Sequence, residues 1–214
     1  MHHKIMKMKK IVILLIITLI TIHNTSAQNE SPNQDFSLVV KNINSLGKYQ
    51  EMVEHAIVLI NDTFNSEEFK NKVLNKNFDW KNLNGGHTQM TNEMLLKTLV
   101  GWTDKAEISL YIKPRGLRIT AYMYGTIGVT SLNSSSTKTY RHWIDLSPEN
   151  YKETVLTYAS HIAHEFCHQR GFTDKNDKPQ CQFRDVVPYA IGDIVCEILN
   201  NKNNMNVKCD KCSK

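Results

Sequence analysis

The strongest constraint in this chain is the stretch from His161 to Asp174, HIAHEFCHQRGFTD, which carries His-Glu-x-x-His from His164 to His168. Val155, Leu156, Ala159, Ile162, Ala163 and Phe166 recur at three- and four-residue spacing, which predicts a helix. Ser147, followed by Pro148 and Glu149, predicts its start. Gly171 predicts its end, because glycine takes the left-handed conformation that stops a helix and turns the chain. Residues four apart on a helix lie one turn on, so the His164 and His168 imidazoles project from one face toward one point. That is the spacing a single Zn2+ needs from two nitrogen ligands. Glu165, rotated by about 100° from His164, can reach a water that the metal activates without being a ligand, and so act as general base. The turn at Gly171 carries Asp174 back beneath the helix, where its carboxylate completes a two-His, one-Asp set with a fourth position open. Asp177, Asp185, Asp193 and Glu197 are the alternatives for that third ligand.

His164, Glu165, His168, Gly171 and Asp174 together resemble the extended HExxHxxGxxH/D signature of the metzincin zinc metallopeptidases, in the version with Asp as third ligand found in snapalysin-like bacterial enzymes. The later run VPYAIG, from Val187 to Gly192, is similar to a segment that follows the zinc motif in small bacterial metallopeptidases. The resemblance covers roughly residues 140–199. It implies an α+β fold of metzincin or zincin type, a mixed twisted sheet packed with helices, and Zn2+ on His164, His168 and Asp174. It further implies a protein or peptide substrate, with Glu165 moving the proton from water to the leaving amine. Metzincins place a methionine in a tight turn under the metal; here the only methionine after the motif is Met205, and the turn 188–190 stands in its place. Tyr189 in that turn can donate a hydrogen bond to the developing oxyanion, or simply pack at the start of the last helix. Glu197 as third ligand would instead match the zincins in which a downstream helix completes the site. Two other functions share the same residues: a zinc hydrolase of a cell-wall or other non-peptide amide, and an exported binding or adhesion protein with a structural zinc.

Residues 1–27 read as a secretory signal, with Lys4, Lys7, Lys9 and Lys10 before an apolar run at 11–22 and Thr25-Ser26-Ala27 as the cleavage site. The run is too short for an ordinary membrane span, so no stable anchor is expected after cleavage, and the protein is expected to be secreted or periplasmic. Without those four lysines, 22 basic residues face 21 acidic ones. Bulk charge therefore gives no support to a nucleic-acid partner. Residues 28–35 read as a flexible leader, 36–200 as one domain and 201–214 as a polar tail. The segment up to residue 80 is either a removable inhibitory piece or part of the core. Oligomeric state leaves no trace in the sequence.

Within the domain, apolar spacing predicts one or two helices over 36–60 with a break at Gly47, and further helices at 66–75, 92–100 and 186–199. Strands are expected at 107–113 and 117–126 around a turn at 114–116, and at 140–146, with loops at 82–88 and 132–139. In metzincin-like folds an edge strand upstream of the zinc helix binds extended peptide, and 123–130 is the candidate here, its glycines Gly125 and Gly128 equally consistent with a bulge. His161, on nearly the same face as His164, reads as a packing residue beside the site. The five cysteines all lie in the last quarter, an odd number. A Cys167–Cys181 bridge would tie the zinc helix to the following loop, and Cys209-x-x-Cys212 has no second pair to complete a metal knuckle.

Overall fold

The computed structural model describes residues 35–79, 90–101, 105–114, 128–174 and 185–209. The signal segment 1–27, most of the leader, the loop 82–88, the expected strand 117–126, Asp177, Cys181 and Cys212 lie outside the described residues. The described part is α+β, with a small mixed sheet and five α-helices.

The first expected helical stretch divides. Leu38–Val40 is a strand, β1, too short to show a helical period. Two 3-10 turns follow, the second opening at Gly47, which sits at φ 55° in the left-handed region. Only then does α1 run, Gln50–Phe64, burying Met52, Val53, Ala56, Ile60 and Phe64. α2, Glu67–Asn75, is capped by Ser66, whose Oγ accepts from the Phe69 N–H at 3.2 Å, and α3, Asn92–Val100, is capped by Thr91 in the same way.

β2, Ala106–Lys113, pairs in parallel with β1 on one side and with β4, Ser136–Tyr140, on the other. β3, Gly128–Thr130, pairs antiparallel with β4, giving the order β1-β2-β4-β3. Among the described residues β3 is thus an edge. β4 falls where a loop was expected, and the expected strand at 140–146 opens instead with a 3-10 turn, Arg141–Trp143. The reason is that the inward residues of β4 are Thr137 and Thr139, which are β-branched but polar. Their hydroxyls are satisfied, Thr137 by Thr130 and Thr139 by the His161 ring, so burial costs little although no apolar alternation marks the strand.

The long helix α4, Tyr151–Gln169, starts three residues later than a Ser147 cap predicts, with Asn150 at the cap position. Residues 147–150 form a turn held by Asp145, whose carboxylate accepts from the Ser147 N–H at 2.9 Å and from Asn150 Nδ2 at 2.8 Å. Its end is as read: Gly171 has φ 89°, and the Phe172 N–H reaches back to the Cys167 carbonyl at 3.0 Å. α5, Val187–Asn203, packs along α4, and α1 packs on both. Phe36 and Phe64 pack on Phe166 of α4, and Phe69 on Phe64, with ring centroids 4.6–6.0 Å apart. Burying each such side chain stabilises the fold by roughly 1.5–3 kcal/mol. Phe36, Phe64 and Phe69 therefore share one core with Phe166 of α4.

The tail is not loose up to Cys209. Val207 and Cys209 return onto α5, Asn200 exchanges two hydrogen bonds with the Val207 backbone, and Cys196 is bridged to Cys209. Cys167 is a buried free thiol, and the expected Cys167–Cys181 bridge falls on a residue outside the described ones. No helix among the described residues is long and apolar enough to cross a membrane.

Candidate metal centre

α4 is buried almost all round from Thr154 to His168, and that buried stretch includes Ser160, His161, Glu165 and His168. Polar groups inside a protein need partners, so their contacts define the chemistry available.

His164 and His168 turn their Nε2 atoms toward each other, 3.3 Å apart. Two ligands about 2.0–2.1 Å from a tetrahedral zinc stand about 3.3–3.4 Å apart, so the pair is already at ligand spacing. The turn after Gly171 brings Asp174 to them, with Oδ2 3.5 Å from His168 Nε2 and Oδ1 4.0 Å from His164 Nε2. The three form a group with ligand atoms within 4.8 Å of one another. Of the alternatives, Asp185 is paired with Lys76 and Glu197 with Lys72, both away from the histidines.

The imidazoles are oriented from behind. His168 Nδ1 is 2.8 Å from the Phe172 carbonyl, which can only accept, so Nδ1 carries a proton, and Nε2 is the nitrogen that would offer a lone pair to a metal once it gives up its own. The Pro188 carbonyl, in the first turn of α5, accepts from the His164 ring. The Tyr189 ring stands edge-on to that of His164 at 4.6 Å. VPYAIG thus supports the first histidine, while Met205 is packed against the core at the far end of α5.

The charges balance in a way a metal would replace. Burial disfavours a charged His168, but Asp174 outweighs it and pushes the ring up to about 9. Burial likewise works against Asp174 ionising, yet the two histidines hold its carboxyl below the usual range. Burial pulls His164 down to about 4 despite Asp174. Asp174 Oδ1 is buried and has no hydrogen-bond partner among the described residues. Two imidazole nitrogens and one such carboxylate suit a borderline divalent ion, of which Zn2+ is one.

Glu165 is only 3% exposed. Burial raises its carboxyl to about 7, partly offset by His168 and by hydrogen bonds from Thr130 on β3. Its Oε2 has no hydrogen-bond partner among the described residues. The Tyr189 hydroxyl is held protonated by burial and by the nearby Asp174 and Glu165 carboxylates, so it can only donate toward an anion. His161 faces Glu165 and is not one of the three grouped residues.

Sequence reasoning missed Thr130 and the Phe172 and Pro188 carbonyls. All three lie in segments already singled out, 123–130, 161–174 and 187–192, but a backbone carbonyl or a strand threonine 35 residues upstream of Glu165 carries no motif of its own. No protein-family model, curated protein or solved structure matches the chain.

Proposed function

We propose that the protein is an exported zinc-dependent metallopeptidase of metzincin type, with Zn2+ on His164, His168 and Asp174 and Glu165 as general base. The observation that carries this reading is the 3.3 Å separation of the two Nε2 atoms beside the Asp174 carboxylate, with a buried, partly unpartnered carboxylate on the next residue of the helix. Zn2+ at this place supplies a Lewis acid that polarises the scissile carbonyl and makes the attacking water more acidic. Glu165 Oε2 takes the proton from that water and passes it to the leaving amine. The Tyr189 hydroxyl donates to the carbonyl oxygen as negative charge develops on it.

Two features favour a peptide hydrolase over a structural zinc protein. Three protein donors converge and no fourth joins them among the described residues, which suits an open catalytic position. β3, antiparallel to β4 and an edge among the described residues, hydrogen-bonds the base through Thr130, so a peptide added to that edge would run past Glu165. The apolar run and cleavage site at 11–27 support export.

Glu165→Gln tests the assignment: zinc content unchanged and peptide hydrolysis reduced by about 10²–10⁴. Undiminished hydrolysis, or joint loss of zinc and hydrolysis, would contradict a base that is not a ligand.

A further inference from the structure

His161 lies one turn before Glu165, and its ring is fixed on every side. Trp143 and Tyr158 stand against it with centroids 5.9 and 6.0 Å away. Gly128 on β3 backs the ring so closely that a Cβ there would fall 2.6 Å from His161 Nε2 and 2.5 Å from the Lys138 carbonyl. Nε2 is 3.2 Å from Thr139 Oγ1, which is itself 3.5 Å from the Tyr158 hydroxyl. The remaining nitrogen, Nδ1, points to Glu165 Oε1 at 3.6 Å. That distance is longer than a formed hydrogen bond, and contacts to a catalytic base commonly tighten once it is charged and substrate is bound.

We propose that His161 is a positioning residue for the base: it holds Glu165 by Oε1, so that Oε2 is the oxygen that receives the water proton. The proposal rests on the peptidase reading of the same site. Directionality supports it. A working base is a carboxylate and can only accept, so Nδ1 must carry the ring proton. Nε2 must then accept from the Thr139 hydroxyl, and the Thr139 oxygen from Tyr158. Every donor in the row faces Glu165. Burial and the two nearby histidines hold the His161 ring neutral, leaving it one N–H to give. Thr130 steadies the same carboxylate from β3, while Oε2 has no partner among the described residues.

The test uses the zinc-loaded chain for kinetics and the metal-free chain for nitrogen-15 NMR of the histidine rings. His161→Phe keeps the packing and removes the donor. It is expected to keep zinc and KM within about twofold while kcat falls about 10- to 100-fold. His161→Asn, which returns a donor near the Nδ1 position, should recover part of that loss, and Thr139→Val, in which His161 remains, should lower kcat by a smaller factor. In the spectrum, the His161 Nδ1–H signal should shift in Glu165→Gln and in Thr139→Val. An unchanged kcat in a folded, zinc-bearing His161→Phe would overturn the proposal, as would an Nδ1–H signal indifferent to Glu165→Gln. If His161→Phe does not fold, Thr139→Val and the spectrum decide. Absence of hydrolysis by the zinc-loaded wild type, beside an Nδ1–H signal that responds to Glu165→Gln, would overturn the peptidase reading and leave the His161–Glu165 contact standing.

Discussion

Two polar regions sit one helical turn apart on α4 and are built on opposite plans. Around His161 the groups close on each other: Thr139 takes one ring nitrogen, Glu165 faces the other, and Trp143, Tyr158 and Gly128 fill the rest. Around His164 and His168 they do not close. Three donors point to one place, one oxygen of Asp174 lacks a partner among the described residues, and so does the Glu165 oxygen between the two regions. A closed buried network fixes geometry, whereas an open one is tolerated where a ligand completes it. Glu165 belongs to both, so in the proposed role of base it would be at once rigid and available.

The comparison breaks most visibly at the open region. His168→Ala removes one donor of three and should reduce zinc content and hydrolysis to background, read by metal analysis on the same sample as the assay. Glu165→Gln comes next, with hydrolysis down and zinc retained. Gly128→Ala attacks the closed region from β3: the added methyl overlaps both the Lys138 carbonyl and the His161 ring. It should cost about 1–3 kcal/mol in denaturant unfolding and lower kcat without loss of zinc. If hydrolysis and stability both survived, the packing of β3 on His161 would be irrelevant to the base.

A pH series sharpens the contrast further. In the metal-free protein His168 is raised to about 9 from an ordinary 6.5 because Asp174 outweighs burial. Its contribution to stability is complete below 6.5 and is lost as pH rises through 9. Asp174 is depressed below its ordinary 3.8, so its contribution is present above that value and lost only as pH falls through its lower folded value. The thermal midpoint of metal-free protein should therefore decline between pH 6.5 and 9, and Asp174→Asn should flatten the decline. An identical slope in the variant would contradict the coupling. The smallest expected effect is at the closed end, where Tyr158→Phe removes only the hydroxyl facing Thr139 and should cost about 1 kcal/mol.

What the sequence discloses follows from what has a local signature. The helices carry a 3.6-residue period, Ser66 is followed by two glutamates, and Gly171 marks a stop, so α1 to α5 are legible to within a few residues. β1 is too short for any period, and β4 hides because its buried face is threonine. At the candidate metal centre, the grouping of His164, His168 and Asp174 follows from helix geometry and one turn, and the structure brings them together as the spacing implies. Thr130, Thr139, Gly128 and the two carbonyls behind the histidines are contributed by other elements or by backbone, and no spacing rule encodes them. The Cys196–Cys209 bridge likewise depends on the chain returning along α5.

The most direct measurement is zinc content of the purified protein after loading, wild type beside Asp174→Ala, with peptide hydrolysis followed on both. One zinc per chain with hydrolysis in the wild type, both diminished in the variant, is the outcome expected of a site closed by Asp174. Full zinc retention in the variant would move the third ligand elsewhere, and a wild type that takes up no zinc would contradict the metallopeptidase outright.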